Sequence, residues 1–265
     1  MSRKIAIIGG GNLGTAIAEG LISSGFALPK HIIITKRNIK TLQSLEAKGV
    51  LVSDDNKEAV RFAELVVLAV KPFQVSDVLE GVKALINPKK HLLISVVTGV
   101  SIETILKVVG KKIGLIRAMP NTAIAIQESM TCLSAHEVSK EQLQYAEDLF
   151  NQLGRIAWID EKLMDAATVL GACGTAYAMR YIRANIQGGI EIGFDAATAN
   201  LIAAQTVKGA AELLLKKGTH PEHEIDKVTT PKGCTIAGLN EMEHQGFSSS
   251  LIKGIVASYD KIAKG

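Results

Sequence analysis

The sequence predicts an α/β fold in which a doubly wound parallel sheet is followed by an all-helical domain. Over the first 160 of 265 residues, short β-branched runs alternate with amphipathic stretches, which is typical of a parallel sheet covered by helices on both faces. The first of these runs ends in a glycine-rich turn. Beyond Trp158 the β-branched runs stop, and apolar residues recur every three or four positions, the period of a helix.

The sheet is predicted from five runs rich in Ile, Leu and Val, with two further short runs extending it. Helices are expected between the strands, because right-handed βαβ units connect neighbouring parallel strands in this way. The predicted strands are residues 4–8, 32–35, 65–70, 92–97 and 113–116, with 130–133 and 156–159 as the two further runs. The predicted helices of this half are residues 12–24, 38–48, 73–85, 102–109 and 140–152.

The domain boundary is predicted near residue 160, with one domain over residues 1–160 and a helical domain over residues 161–265. Ile182, Ile186 and Ile190 follow each other at four-residue steps, and residues 200–215 are apolar almost all round. Helices that are apolar on every side must be covered by something. We expect a second subunit to cover them, so the protein is predicted to be a homodimer. The alternative is that the other half of the same chain covers them.

Composition narrows the classes of function. Thirty basic and 26 acidic residues give a net charge of +4 without a basic stripe, so nucleic acid is not expected as a partner. Cys132, Cys173 and Cys234 are too scattered for a disulfide framework or a zinc cluster, so no metal is expected. No apolar run is long enough for a membrane span, and the run after Lys4 is too short for a signal peptide. We therefore expect a cytoplasmic protein without a membrane partner.

A glycine motif follows the first predicted strand. Gly9, Gly11 and Gly14 form the pattern GxGxxG between a β-branched run and a predicted helix. In this context the first glycine permits a tight turn, the second lets the backbone approach a pyrophosphate, and the third allows close contact between strand and helix. The helix N-terminus offers free N–H groups and partial positive charge to phosphates. The motif predicts a Rossmann-type dinucleotide-binding domain over residues 1–160.

The end of the second predicted strand bears on the choice of cofactor. NAD sites usually place Asp or Glu there to hold the ribose 2′-hydroxyl. This chain has Thr35, Lys36, Arg37 and Asn38, and the first acid after them is Glu46. A hydroxyl and two cations favour a 2′-phosphate, so NADP (NADPH) is the predicted cofactor, with NAD (NADH) as a second possibility. The alternative interpretation is a solvated basic turn.

Four stretches carry a resemblance to one enzyme family. They are the glycine motif, Ala-Val-Lys-Pro at 69–72, Arg-Ala-Met-Pro-Asn-Thr at 117–122 and Val-Thr-Thr-Pro-Lys-Gly-Cys-Thr-Ile-Ala-Gly-Leu at 228–239. Together they resemble pyrroline-5-carboxylate reductase, a family that makes proline by reducing a cyclic imine with NAD(P)H. The resemblance covers essentially the whole chain, and the last stretch is the most specific. It implies a Rossmann domain and a helical substrate-binding and dimerisation domain, with dimers that often form rings.

The resemblance also implies a set of cofactor-binding residues. They lie in the glycine turn and at the carboxyl ends of strands, where open α/β sheets bind their ligands. Lys71 invites a catalytic role, but backbone contact with the cofactor is the preferred interpretation. The implied residues are Gly9, Gly11, Asn12, Leu13, Gly14, Thr35, Lys36, Arg37, Asn56, Ala69, Val70, Lys71, Pro72, Val97 and Gly99.

The loop at 229–235 has the composition of an anion site. Pro231 and Gly233 indicate a turn that opens a helix at about 235–242, preceded by hydroxyl residues able to cap it. Exposed N–H groups at that helix N-terminus would bind a carboxylate. On the residues alone, an ordinary helix cap is the simpler interpretation of Thr235.

By the resemblance, this loop binds the substrate. Thr235 is then the catalytic residue, with its hydroxyl hydrogen-bonded to the imine nitrogen of 1-pyrroline-5-carboxylate. The implied substrate-binding residues are Thr230, Gly233, Cys234 and Thr235.

The chain departs from the family pattern at several positions. Lys232 stands where a second glycine is usual, so a positive φ there would be costly, and its charge would attract a carboxylate. Cys234 replaces the common Thr or Ala, and Arg183 stands where an acid is more typical. The stretch Gly-Ala-Cys-Gly-Thr-Ala-Tyr at 171–177, with Cys173 and Thr175, also departs from the usual sequence. These departures concern the substrate pocket and the dimer contact.

Two other functions are compatible with a Rossmann half joined to a helical half. One is a different NADP-dependent reductase of small oxo or hydroxy acids, which usually needs a Lys or His acid. His220, His223 and His244 are the candidates, but each is expected near a helix end or in a turn, where a surface role is more typical. The other is a nucleotide-sensing regulatory module without catalysis.

Overall fold

The computed structural model describes residues 3–263, and the chain divides into two compact units, Met1–Cys173 and Gly174–Gly265. Strands and helices alternate through most of the first unit, as the sequence predicts. Its strands are β1 (Ile5–Ile8), β2 (Ile32–Thr35), β3 (Leu51–Ser53), β4 (Leu65–Leu68), β5 (Leu92–Ser95), β6 (Leu115–Met119), β7 (Ser129–His136) and β8 (Gly154–Trp158). Its helices are α1 (Asn12–Ser23), α2 (Gln43–Ala47), α3 (Asn56–Phe62), α4 (Val75–Val82), α5 (Ile102–Val109), α6 (Lys140–Asn151) and α7 (Met164–Ala167).

The strands form one sheet in the order β3-β2-β1-β4-β5-β6-β7-β8. Every neighbouring pair is parallel except β6 and β7, which run antiparallel. The order reverses at β1, whose two neighbours are β2 and β4. Open α/β sheets bind their ligands outside the carboxyl ends of the strands at such a reversal.

Side chains on both faces of the sheet are buried. Along β1, Ile5 and Ile7 belong to one apolar cluster, while Ala6 and Ile8 belong to another on the opposite face. Because successive strand residues point to opposite faces, continuous runs of Ile, Leu and Val are what a sheet buried on both sides requires. The predicted doubly wound α/β architecture is therefore confirmed.

Some elements differ from their predicted bounds. The strand at 32–35 and the helix at 102–109 are found as predicted. The predicted helix at 38–48 is instead a 3₁₀ turn at Ile39–Leu42 followed by the short α2. The sequence did not predict β3 or α3, because β3 is only three residues long and has no apolar run that marks it as a strand.

The second unit contains only helices among its described residues, which confirms the predicted all-helical half. Ile186, Ala199 and Ala203 are its buried apolar side chains, whereas Ile192 and Leu201 remain 78% and 69% exposed. The helices therefore leave much apolar surface uncovered. They are α8 (Gly174–Glu191), α9 (Ala196–Lys217), α10 (Pro221–Val228), α11 (Cys234–His244) and α12 (Phe247–Ala263).

The segment between Trp158 and the second unit belongs to the same compact unit as the sheet. A 3₁₀ turn at Glu161–Leu163, helix α7 and a π-helix at Thr168–Cys173 belong to the first compact unit. Met164 and Val169 are almost fully buried there. The compact units therefore divide at Cys173, while a domain boundary at 160 stays a prediction.

A buried histidine gives the first unit a pH-dependent stability. His91 is 2% exposed, and its Nδ1 accepts a hydrogen bond from the backbone N–H of Asn87 at 3.0 Å. Burial, and after it the charge of Lys90, lower the pKa of His91 below its ordinary value of 6.5. The folded protein therefore favours neutral His91. The contribution of neutral His91 to stability is fully present above pH 6.5 and is lost as the pH falls through the lowered pKa.

We expect His91→Gln to flatten this dependence, because the glutamine Oε1 accepts the same hydrogen bond without titrating. Urea unfolding at several pH values between about 7 and about 5 measures the slope of stability against pH. The exposed His223→Gln serves as the matched control and should keep the slope of the unsubstituted protein. Equal slopes for the unsubstituted protein and His91→Gln would contradict this assignment.

Candidate active site

A cavity of about 990 Å³ lies in the first unit at the carboxyl ends of β1, β2, β4 and β5. This is the point of reversal in the sheet, and the volume is at the upper end of that of ordinary ligand pockets. Thirteen of the fifteen residues implied as cofactor-binding line it. They are Gly9, Gly11, Asn12, Leu13, Thr35, Lys36, Arg37, Asn56, Ala69, Val70, Lys71, Pro72 and Val97.

The glycine turn leaves no room for side chains at two positions. Gly9 has φ +117°, and a Cβ atom there would lie 2.5 Å from the carbonyl oxygen of Ala69. A Cβ atom on Gly14 would lie 2.1 Å from the carbonyl oxygen of Gly9. Gly11 is the N-cap of α1, and no side chain accepts a hydrogen bond from the first turn of that helix. The Gly9 and Gly10 N–H groups donate to the Thr35 carbonyl, so the N–H groups at the start of α1 are the ones left for a pyrophosphate.

The two remaining implied residues lie outside the cavity wall. Gly14 contacts the turn from inside α1, where it lets strand and helix approach closely. Gly99 lies beyond Thr98 in the loop after β5 and has φ +72°. Both glycines serve backbone geometry, and neither lines the cavity.

The β2 side of the cavity is polar and basic. The Thr35 hydroxyl donates a hydrogen bond to Oδ1 of Asn56 at 2.6 Å, which joins the end of β2 to the start of α3. Lys36 and Arg37 follow on the cavity wall. Asp54 also lines the cavity, and the sequence did not identify it. Because β3 was not predicted, the residue that follows it could not be placed beside the end of β2.

The β4 side of the cavity is a fixed turn. The Ala69 N–H donates to the carbonyl oxygen of Ile8 at 2.8 Å, which ties this turn to the end of β1. Lys71 and Gln74 bond reciprocally: the Lys71 N–H donates to Oε1 of Gln74 at 3.2 Å, and the Gln74 N–H donates to the Lys71 carbonyl at 2.9 Å. The Lys71 backbone is thus fixed while its side chain is exposed, and backbone contact with the cofactor stays a prediction.

The Arg117 side chain in the stretch at 117–122 is buried next to two acids. It is 5% exposed, with its Nη1 3.3 Å from Oε1 of Glu161 and its Nη2 3.6 Å from Oδ1 of Asp165. The same Glu161 oxygen accepts the backbone N–H of Ile102 at 2.6 Å. Ile102 begins α5, directly after the loop that follows β5. This group therefore fixes one end of a loop whose first residues line the cavity, a role that the sequence did not show.

The substrate loop implied by the resemblance lies in the second unit. Helix α11 begins at Cys234 with Gly233 as its N-cap, one residue before the predicted start. The Gly233 N–H donates to the Thr230 carbonyl at 2.9 Å, and a Cβ on Gly233 would lie 2.5 Å from Oγ1 of Thr230. Thr235 is the second residue of the helix and is exposed.

The prediction that a hydroxyl residue caps this helix is wrong. The Thr229 hydroxyl donates to the Asp226 carbonyl at 3.0 Å, and the N-terminus of α11 has no side-chain cap. The physical reason is that Gly233 takes the N-cap position and has no side chain, while the Thr229 hydroxyl is used by the preceding helix. The first N–H groups of α11 are consequently available for an anion.

Lys232 adopts the left-handed conformation that its side chain disfavours, with φ +60°. This conformation costs an ordinary residue about 1–2 kcal/mol. Glycine adopts it freely but loses about 0.5–1 kcal/mol more backbone entropy on folding. We therefore expect Lys232→Gly to raise the free energy of unfolding by about 0.5–1 kcal/mol, measured by urea denaturation.

Lys232→Ala is the control, because alanine keeps the backbone cost and removes the charge. It should leave the protein no more stable than the original. An increase in stability for Lys232→Ala equal to that of Lys232→Gly would assign the effect to charge rather than to backbone conformation.

The other residues that the sequence singled out include a helix cap, an exposed helix residue and three free thiols. His220 is the N-cap of α10, where its Nδ1 accepts the Glu222 N–H at 3.3 Å, and Arg183 is exposed on α8. Cys132, Cys173 and Cys234 are free thiols, and burial raises the pKa of Cys132. Within residues 3–263, His, Cys, Asp and Glu side chains do not gather into a possible metal site, and no helix is both long and apolar enough for a membrane span.

Both units of the chain match families of known proteins. The family model described as pyrroline-5-carboxylate reductase dimerisation matches residues 161–264, and the model described as NADP oxidoreductase coenzyme F420-dependent matches residues 4–99. Pyrroline-5-carboxylate reductase 1 of Dictyostelium discoideum is 49% identical over 98% of this chain, and the match covers 49% of that relative. The chain thus spans about half the length of that relative.

Two solved structures are similar over nearly their whole length. A pyrroline-5-carboxylate reductase from Coxiella burnetii has a TM-score of 0.92 and 32% identity, covering 100% of this chain and 98% of that chain. A Plasmodium falciparum pyrroline carboxylate reductase with NADP bound has a TM-score of 0.87 and 27% identity, covering 98% of this chain and 97% of that chain.

Proposed function

Because the chain belongs to the pyrroline-5-carboxylate reductase family, we infer that it reduces 1-pyrroline-5-carboxylate to L-proline with NADPH. The activity is that of an oxidoreductase acting on a carbon–nitrogen bond, and it completes proline biosynthesis. The observation that carries the inference is the N-terminus of α11, which has no side-chain cap and lies within the specific sequence at 228–239. That terminus suits a small carboxylate, and the first unit of the same chain has a cavity suited to a dinucleotide.

The residues of the first unit fit NADP. A Cβ atom on Gly11 would meet nothing within 4 Å, so the missing side chain there leaves open space in which a phosphate can approach the backbone. The N–H groups at the start of α1 would hold the pyrophosphate, and the cationic side chains of Lys36 and Arg37 would hold the 2′-phosphate. When bound, NADPH supplies the hydride that reduces the protonated C=N bond.

The substrate would be held by main-chain groups of the second unit. The N–H groups of Cys234 and Thr235, with that of Thr230, would bind its carboxylate. Gly233, whose own N–H donates to the Thr230 carbonyl, would shape the turn that presents them. The Thr235 hydroxyl would orient the ring nitrogen and pass a proton to it from water. Because the imine can arrive already protonated, the protein needs to orient the reactants rather than supply a strong acid. His220, used as a helix cap, supports this view over a reductase that depends on a histidine acid.

We propose that the protein works as a homodimer and that a ring of dimers is the larger assembly. The exposed apolar side chains of the second unit support a covering partner copy, as does the match of a dimerisation family over residues 161–264. That match also supports a boundary at residue 160. The three free cysteines support a reducing compartment, in line with a cytoplasmic location.

The test is steady-state oxidation of NADPH by the full chain, followed by the loss of reduced-nicotinamide absorbance, with proline identified by mass spectrometry. We expect turnover with 1-pyrroline-5-carboxylate and none with small 2-oxo acids. Turnover only with the oxo acids would assign the protein to the other class of reductase. Binding of NADPH without turnover of either substrate would assign it to the nucleotide-sensing class.

A further inference from the structure

The most exposed aromatic ring of the first unit stands on the wall of the cofactor cavity. Phe73 is 81% exposed and lines the cavity next to Pro72 and Gln74. Apolar side chains of this size are normally covered, and an exposed aromatic ring on a cavity wall offers a flat surface to a flat ligand.

The backbone that carries the ring is fixed in a turn. Pro72 and Phe73 lie in a 3₁₀ turn that the reciprocal hydrogen bonds between Lys71 and Gln74 close. Helix α4 follows at once and is anchored by Val75, which is 2% exposed. Because the backbone is already fixed, a ligand that covers the ring has only the side-chain torsions of Phe73 to order, which limits the entropic cost of the contact.

The charges on the opposite wall indicate which part of the cofactor reaches the ring. Lys36 and Arg37 suit the 2′-phosphate, and that phosphate is attached to the ribose that also carries adenine. The base must therefore lie in the same part of the cavity as those cations. Phe73 lines this one cavity from the β4 side, while Lys36 and Arg37 line it from the β2 side.

We propose that Phe73 is the residue on which the adenine ring of NADPH stacks, and that it sets the affinity for the cofactor. This inference rests on the proposed function, which supplies the substrate for the kinetic test, and it adds one residue to the proposed cofactor site. Base stacking on an aromatic side chain does not depend on the nicotinamide end, so Phe73 contributes to binding and leaves the hydride step unchanged.

The test is Phe73→Ala in the full chain. We expect the KM for NADPH to rise about 10-fold, with kcat and the KM for 1-pyrroline-5-carboxylate unchanged. Phe73→Trp should restore the original KM, because the indole ring also stacks. Ile126→Ala is the matched control, since Ile126 is 72% exposed in the same unit but does not line the cavity.

A hydride donor that lacks adenosine shows whether a higher KM in Phe73→Ala comes from lost stacking or from another effect of the substitution. With reduced nicotinamide mononucleotide as the hydride donor, Phe73→Ala and the original protein should have equal kcat/KM. An unchanged KM for NADPH in Phe73→Ala would overturn the proposal. An equal loss of kcat/KM with the mononucleotide would overturn it as well, because the ring would then act at the nicotinamide end or on the fold.

Calorimetry with adenosine 2′,5′-bisphosphate makes this test independent of turnover. We expect Phe73→Ala to weaken binding of this probe about 10-fold, and equal affinities would overturn the proposal. If the original protein binds the probe but does not reduce 1-pyrroline-5-carboxylate, the proposed function fails while the role of Phe73 is still decided.

Discussion

Thr235→Ala is expected to lower kcat about 100-fold, while the KM for NADPH stays within about twofold of its original value. The hydroxyl is proposed to act at the imine nitrogen, whose positive charge is neutralised as the hydride adds to the neighbouring carbon. Its loss removes an interaction that matters most in the transition state, and such losses lower kcat rather than cofactor binding. Steady-state kinetics with each substrate varied in turn measures both quantities.

Thr235→Ser is the matched control for this result. Serine keeps the hydroxyl at the second position of α11 and removes only a methyl group, so most of kcat should return. If Thr235→Ala turns over as fast as the original protein, Thr235 is an ordinary helix residue. If serine fails to restore the loss, the methyl contact rather than the hydroxyl is responsible.

Arg37→Asp is expected to lower the ratio of kcat/KM for NADPH to kcat/KM for NADH about 100-fold. The change removes a cation that would contact the 2′-phosphate and replaces it with a charge that repels it. It also adds a carboxylate able to accept hydrogen bonds from the ribose hydroxyls of NADH. The two efficiencies, measured with the same enzyme preparation, give the ratio directly.

Lys40→Asp makes the same change in net charge outside the cavity wall. A side chain outside the cavity wall does not contact the bound cofactor, and salt weakens its charge, so this control should change the ratio much less than Arg37→Asp. A ratio that stays the same in Arg37→Asp would remove the basis for a 2′-phosphate site at the end of β2. Equal shifts in both variants would indicate an effect of overall charge.

Local patterns in the sequence predicted most of the fold. The helix at Ile102–Val109 has its predicted bounds, and the structure shows that the Ser101 side chain caps its start and that Gly110 ends it in the left-handed conformation. The glycine turn was predicted because its spacing directly reflects close approaches between backbone atoms. Where an element is short, the pattern is absent, as at the three residues of β3.

Long-range contacts explain what the sequence did not show at the site. Asp54 reaches the cavity only because β3 pairs with β2. Arg117 bonds Glu161 across 44 positions of the chain, and no local pattern indicates such a pair. Phe73 follows Pro72 in a stretch that the sequence assigned to a helix, so its exposure on a cavity wall was not foreseen. Gly233 replaced the expected hydroxyl cap because backbone geometry, rather than residue preference, decides that position.

The ion pair between Arg117 and Glu161 limits how this enzyme can be recombined with its relatives. A chimera joined after residue 160 would take Glu161 and Asp165 from a different parent than Arg117. Wherever the parents differ at these acids, the guanidinium would remain buried without a counter-charge, a loss on the order of 3–5 kcal/mol. A junction after Cys173 transfers the arginine and both acids together. The division between the two compact units is therefore a safer crossover point than residue 160, after which the dimerisation family match begins.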